Sequence, residues 1–136
     1  MIRPDDEPLI PRLAHTGRAM IRLTESQVQA IRRFRAACDD GSIRFERANC
    51  LCGAPQGAGK LLATQDRYGL PVHTHLCRRC GILWTSPRIA RASLAEFYAR
   101  HYRDIYTGRT VASDAFFASQ QKQGRRLMEY LRPAIR

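Results

Sequence analysis

Four cysteines hold the densest chemistry in this sequence. Cys50 and Cys52 stand in "NCLCG" and Cys77 and Cys80 in "LCRRCG", a C-x-C pair and a C-x2-C pair separated by the 24 residues 53–76. Zinc in a structural site takes four soft ligands at the corners of a tetrahedron, and two tight turns that each present two thiolates can supply them. A glycine follows each pair, at Gly53 and Gly81. That suits a backbone that curls around a metal and aims its amides at sulfur. The spacing predicts a zinc ion held by Cys50, Cys52, Cys77 and Cys80. The C-x-C turn is one residue shorter than the usual C-x2-C, so its geometry is tighter. Alternation puts His73 and His75 on the same strand face as Cys77. Either imidazole is therefore an alternative ligand, although each taken alone reads as an ordinary strand residue.

Such a site is structural. Four cysteines leave no coordination position for water or substrate, which a catalytic zinc needs. Zinc deaminases pair P-C-x-x-C with an upstream H-x-E. Here Leu76 precedes Cys77, and "HTH" at 73–75 lacks the glutamate. A redox pair at Cys77 and Cys80 would need a βαβ setting that "VHTHLCRRCGILWT" does not supply. Nor is the glycine-rich run before Lys60 a phosphate loop. Ala54 stands where G-x4-G-K needs its first glycine, and Leu61 where a Ser or Thr hydroxyl would hold Mg²⁺. "APQGAGK" is read as the linker into the next strand. Four thiolates around Zn²⁺ leave a local charge of about −2, which Arg78 and Arg79 inside the second knuckle can offset. The fifth cysteine, Cys38, falls on the apolar face of a helix and reads as core.

For the two knuckles to meet, the chain between them must form a hairpin. "KLLATQD" and "VHTHLC" read as its strands and "RYGLP", punctuated by Gly69 and Pro71, as its turn. "SIRFERA" and "GILWT" are further short strands. Residues 1–22, with Pro4, Pro8 and Pro11 and little periodicity, read as a flexible arm. Residues 23–41 read as a helix: Thr24 caps it, Gln27 completes a capping box, Val28, Ile31 and Cys38 share its apolar face, and Asp39-Asp40-Gly41 ends it. Residues 42–86 form the expected zinc ribbon, and 87–136 a helical segment. In that segment Leu94, Phe97, Tyr98 and His101 recur at i, i+3, i+4 and i+7, and Gly108 is the stop. Phe97, Tyr98, Tyr102 and Tyr106 cluster in ten residues: they suit packing against a further domain, and for Phe97 and Tyr98 a small core between two helices is at least as good a reading. A last helix runs from about Ser113 to Leu131, with Phe117, Gly124, Met128 and Leu131 on one face. The expected fold class is α+β: a small zinc ribbon of short antiparallel strands, flanked by an N-terminal helix and C-terminal helices.

Charge sets this chain apart more than size does. It has 136 residues, 44% of them apolar, enough for one domain or two very small ones. Lys plus Arg total 23 against 12 acidic residues, a net of +11, and only Lys60 and Lys122 among the basic residues are not arginine. That balance suits nucleic acid, nucleotide phosphates or an acidic protein surface. The arginines are spread along the chain without forming a block, so a solvated basic surface is the favoured reading and nucleic acid is not. "MIRPDDEPLIPRLAHTGRAM" lacks the apolar stretch of a signal peptide, and no apolar run approaches the roughly 20 residues of a membrane span. A cytoplasmic location without a membrane partner is expected, where cysteines serve metal or redox chemistry in preference to structural disulfides.

Five pieces occur in order: "CLCG", "DRYGLPV", "LCRRCGILWTSPR", "LAEFYARHYRDIY" and "FFASQQKQGRRLMEYL". Together, over about residues 46–132, they resemble the N-terminal zinc-binding region of class I SAM-dependent methyltransferases, bacterial proteins associated with polysaccharide and natural-product sugar pathways. The resemblance implies zinc on Cys50, Cys52, Cys77 and Cys80, and a helical segment leading into a Rossmann-like catalytic domain. It also implies that "FYARHYRDIY" lies near the substrate side of the enzyme. The glycine-rich cofactor loop of such enzymes has no counterpart here. The expectation is therefore a structural, non-catalytic accessory module, possessing no enzyme activity alone. S-adenosylmethionine would be bound only through a catalytic domain, supplied in cis or in trans. A zinc-ribbon nucleic-acid binder and a protein-interaction module acting through the terminal helix are the alternatives.

Overall fold

The computed structural model describes residues 7–108 and 113–135. Positions 1–6 of the expected arm, and 109–112 and 136 of the expected helical segment, lie outside the described residues. The fold is α+β. Helix α1 (Glu25–Asp39) is followed by strands β1 (Phe45–Glu46), β2 (Gly59–Gln65), β3 (Pro71–Cys77), β4 (Leu83–Thr85) and β5 (Arg88–Ile89). A helical run then comprises α2 (Leu94–Phe97), a π-helical turn (Tyr98–Tyr102) and α3 (Arg103–Thr107), and helix α4 (Asp114–Leu131) comes last. Among the described residues no helix is long and apolar enough to cross a membrane.

Helix α1 starts where its capping chemistry places it. The Thr24 hydroxyl accepts from the Gln27 N–H, and Gln27 Oε1 accepts from the Thr24 N–H at 3.0 Å. Gln27 then does a second job: its Nε2 donates to the Ile105 carbonyl at 3.0 Å, and Ser26 Oγ donates to the Gly108 carbonyl at 2.9 Å. The start of α1 thus donates to carbonyls at the end of α3, the part of a helix whose carbonyls have no intrahelical partner. Gly108 ends α3 with φ of 68°, a left-handed conformation that glycine adopts without a Cβ penalty. The buried face of α1 is Gln27, Ala30, Ile31 and Phe34. Val28 and Cys38, expected on this face with Ile31, sit at its margins, because the packed stripe is set by α3 and not by α1 alone.

Strands β2, β3 and β4 form an antiparallel sheet in that order, with Gly59 opposite Cys77 and His75 opposite Trp84. "SIRFERA" contributes only the two residues of β1, which pair with β5 so that Phe45 faces Ile89. The turn between β2 and β3 is organised by Asp66, whose Oδ1 accepts from the N–H groups of Tyr68 and Leu70, each at 2.9 Å. This turn plants Leu70 among Ala30, Ile31, Phe34, Ile43 and Ile105, the main apolar core. A second, smaller core gathers Cys50, Ala54, Cys77 and Trp84.

The described part of the expected loose arm is tied down. The N–H groups of Leu9, Ile10 and Met20 donate to the carbonyls of Leu61, Leu62 and Arg67 at 2.9, 3.2 and 2.9 Å. His15 N–H reaches Thr64 Oγ1 and Thr16 N–H reaches Gln65 Oε1. Its prolines break periodicity, but the free edge of β2 offers unpaired backbone groups that an extended segment can satisfy. Helix α4 lies at the other extreme. It is capped by Ser113, yet Phe117, Gly124 and Met128 on its expected face are exposed.

Candidate metal centre

Two backbone turns of like design present the sulfurs. In the second, Cys77 N–H donates to the Ile82 carbonyl and Gly81 N–H to the Cys77 carbonyl, both at 2.9 Å. In the first, Cys50 N–H donates to Ala54 O at 3.2 Å and Gly53 N–H to Cys50 O at 2.8 Å. Each bond of the first turn spans one residue fewer, so C-x-C keeps the closure of C-x2-C in a smaller ring. Both terminal glycines take positive φ, 79° at Gly53 and 75° at Gly81. That is the bend which returns the chain to the sheet after each pair of sulfurs.

The hairpin brings the turns together. All four sulfurs lie within 4.8 Å of one another, with Cys50 Sγ 3.4 Å from Cys80 Sγ and Cys52 Sγ 3.7 Å from Cys77 Sγ. Zinc–sulfur bonds of about 2.3 Å place tetrahedrally arranged sulfurs about 3.8 Å apart. The cluster therefore has the dimensions of an S4 metal site, whereas a disulfide requires about 2.05 Å. Cys50 and Cys77 are 3% and 1% exposed, Cys52 is half-buried and Cys80 faces solvent. Four thiols so close cannot all behave alike. The Cys52 N–H favours the Cys50 thiolate, but burial and the sulfurs of Cys80, Cys52 and Cys77 outweigh it and push Cys50 up to about 12. Burial opposes the Cys77 thiolate. Donation from the Cys80 and Arg79 amides and from the Cys50 and Cys80 thiols overcomes it and holds Cys77 down to about 6. A divalent cation would replace these protons as the common partner of the sulfurs.

Neither histidine joins the cluster. His75 stacks on Trp84 with ring centroids 5.1 Å apart, and its Nε2 meets the Ser86 carbonyl at 3.2 Å. His73 is exposed. Trp84 supports the sulfurs from below: its Nε1 donates to the Ala48 carbonyl at 3.2 Å, and its ring lies directly against Gly59, where any Cβ would collide with it. Cys38 is remote from the cluster and lies beside the main core, where burial, followed by the nearby charges of Asp39 and Asp40, raises its pKa. The role of Trp84 was not apparent from spacing. The only signal was an indole two strands away from a strand glycine. No family model matches the chain, and no curated protein or solved structure matches it either.

Proposed function

We propose that this chain is a structural zinc-binding module, with one zinc ion held by Cys50, Cys52, Cys77 and Cys80. We further propose that it serves as the accessory part of a SAM-dependent methyltransferase whose catalytic domain acts in cis or in trans. The observation that carries the zinc reading is the convergence of four sulfurs within 4.8 Å on two glycine-terminated turns. An all-thiolate tetrahedral set suits zinc, and it leaves no coordination position for a substrate. The ion would lock the two turns to each other and so fix the open end of the hairpin. The methyltransferase reading rests on the five ordered pieces of sequence resemblance. The exposed apolar residues of α4 support it as a surface on which a further domain could pack. Help with acceptor-substrate binding belongs to the same reading, through the segment Phe97–Tyr106.

Native mass spectrometry of the purified chain, with and without a strong chelator, tests the zinc. One zinc per chain, lost to the chelator together with ordered ribbon structure, is the expected result. A folded chain with free thiols and no metal would overturn it. Incubation with labelled S-adenosylmethionine tests the accessory role: the chain alone transfers no methyl group, and transfer by it would show a catalyst instead of an accessory.

A further inference from the structure

A concavity of about 960 Å³ opens at the end of the hairpin away from the sulfurs, between α1, the β1–β5 pair and the helical run after β5. Its floor is the main core: Phe34, Leu70 and Ile105 are buried at its base. Its walls are aromatic side chains left half in solvent. Phe45 is 46% exposed, Tyr98 58%, Tyr102 42% and Tyr106 45%. Four such rings around one hollow forgo much of the burial they could gain, and the volume matches sites that enclose a single small molecule.

The tyrosines are arranged, not scattered. Residues four apart on an α-helix drift by about 40° around its axis. The π turn at Tyr98–Tyr102 is wider and drifts the other way. Tyr98, Tyr102 and Tyr106 therefore fall in one row, with centroids 5.1 Å and then 5.6 Å apart, the second pair stacked at 12°. Arg67 closes the row, its guanidinium 5.1 Å from the Tyr106 ring centre and 4.9 Å from that of Tyr68. Rings that hold one another in this way need little further ordering when a ligand arrives.

Charge decides what kind of ligand. Although the chain carries +11, the hollow is lined by three arginines and three carboxylates: Arg35, Arg88 and Arg91 against Asp39, Glu46 and Asp66. Arg88 is already paired with Glu46 at 2.8 Å, Arg35 donates to the Gly69 carbonyl, and Asp66 accepts from its own turn. The lining is thus balanced apart from Arg67 at the end of the row, whose guanidinium lies against the Tyr68 and Tyr106 rings, so the hollow pulls on an anion far less than the rest of the surface does. We infer that it is a binding site for a small planar aromatic molecule without net charge, gripped between Phe45 and the Tyr98–Tyr102–Tyr106 row over the Phe34 floor. Edge and face contacts with these rings would supply the binding. This does not depend on the zinc reading, and it gives a ligand class to the segment Phe97–Tyr106 that the proposed function associates with acceptor binding.

Fluorescence titration of the full chain with N-phenyl-1-naphthylamine, an uncharged aromatic probe that brightens in apolar sites, tests the inference. A single saturable site is expected. Tyr102→Ala and Phe45→Ala, placed on different elements, should each weaken binding about tenfold or more. Phe117→Ala, on exposed α4 and away from the hollow, should leave it unchanged. Far-UV CD and metal content identify any variant that fails to fold, and two variants on separate elements leave a second reading if one does. Three outcomes would overturn the inference: no saturable binding, loss of binding in Phe117→Ala instead, or much tighter, salt-sensitive binding of the anionic analogue 1-anilinonaphthalene-8-sulfonate. An unmutated chain that holds metal but binds no probe would count against this site alone, and one that binds the probe but holds no metal would count against the zinc reading alone.

Discussion

The β2–β3 hairpin ends in two different ways, and the contrast shows how a small fold is held. At the turn end Leu70 is driven into hydrocarbon, beside Ile31, Phe34, Ile43 and Ile105. That core draws on α1, α3 and the turn itself, so its residues come from segments far apart in sequence. At the open end the buried cluster is two cysteines, Ala54 and Trp84. Removing so little apolar surface from water cannot order two loops. The sulfurs supply what the hydrocarbon lacks, provided a metal joins them. One end is held by area, whereas the other offers four sulfurs that a metal could join.

Substitutions at the two ends should separate these modes. The largest effect is expected at the sulfurs. Cys77→Ser should abolish metal binding and disorder the ribbon, read as lost zinc in native mass spectrometry and a fall in far-UV CD; normal metal content and melting in this variant would erase the contrast. Phe34→Ala should cost about 3–5 kcal/mol, because its ring is buried and meets Phe97 and His101, each at 5.5 Å. Denaturant titration measures this, and the metal should stay bound as long as the chain is folded. Gly59→Ala should cost about 1–3 kcal/mol by forcing Trp84 off its seat beneath the sulfurs. The same change should red-shift or broaden the emission of Trp84, the sole tryptophan and a buried one, while Phe34→Ala leaves it alone. Thr24→Ala is the mildest, about 1 kcal/mol from the lost α1 cap. It should lower the melting temperature without altering metal content, and an effect on metal would mean that the two ends are coupled.

Features governed by a few neighbouring residues could be read directly from the chain. Thr24 and Gln27 announced the capping box, Arg67 to Pro71 the turn, and Ser113 the start of α4. The paired knuckles at Cys50–Gly53 and Cys77–Gly81 announced a cluster, because sulfur, spacing and a terminal glycine are all local signals. What depended on a distant partner was hidden. The prolines of the arm gave no hint that Leu9 and Ile10 would bond to the edge of β2. Gln27 looked like a cap alone, although it also serves the end of α3. A core between helices was one of two readings for Tyr98, and the π turn shifts the register and leaves it on the wall of an open hollow. Tyrosines at 98, 102 and 106 were a legible signal of a row, while Phe45 and Phe34, which face it, come from other segments. The amino-acid sequence by itself determined where the chain turns, caps and offers sulfur, since each depends on interactions within a single turn of backbone. Only the tertiary structure decided which faces were covered and which rings were left to enclose a space, because that depends on segments tens of residues apart competing to bury the same surface.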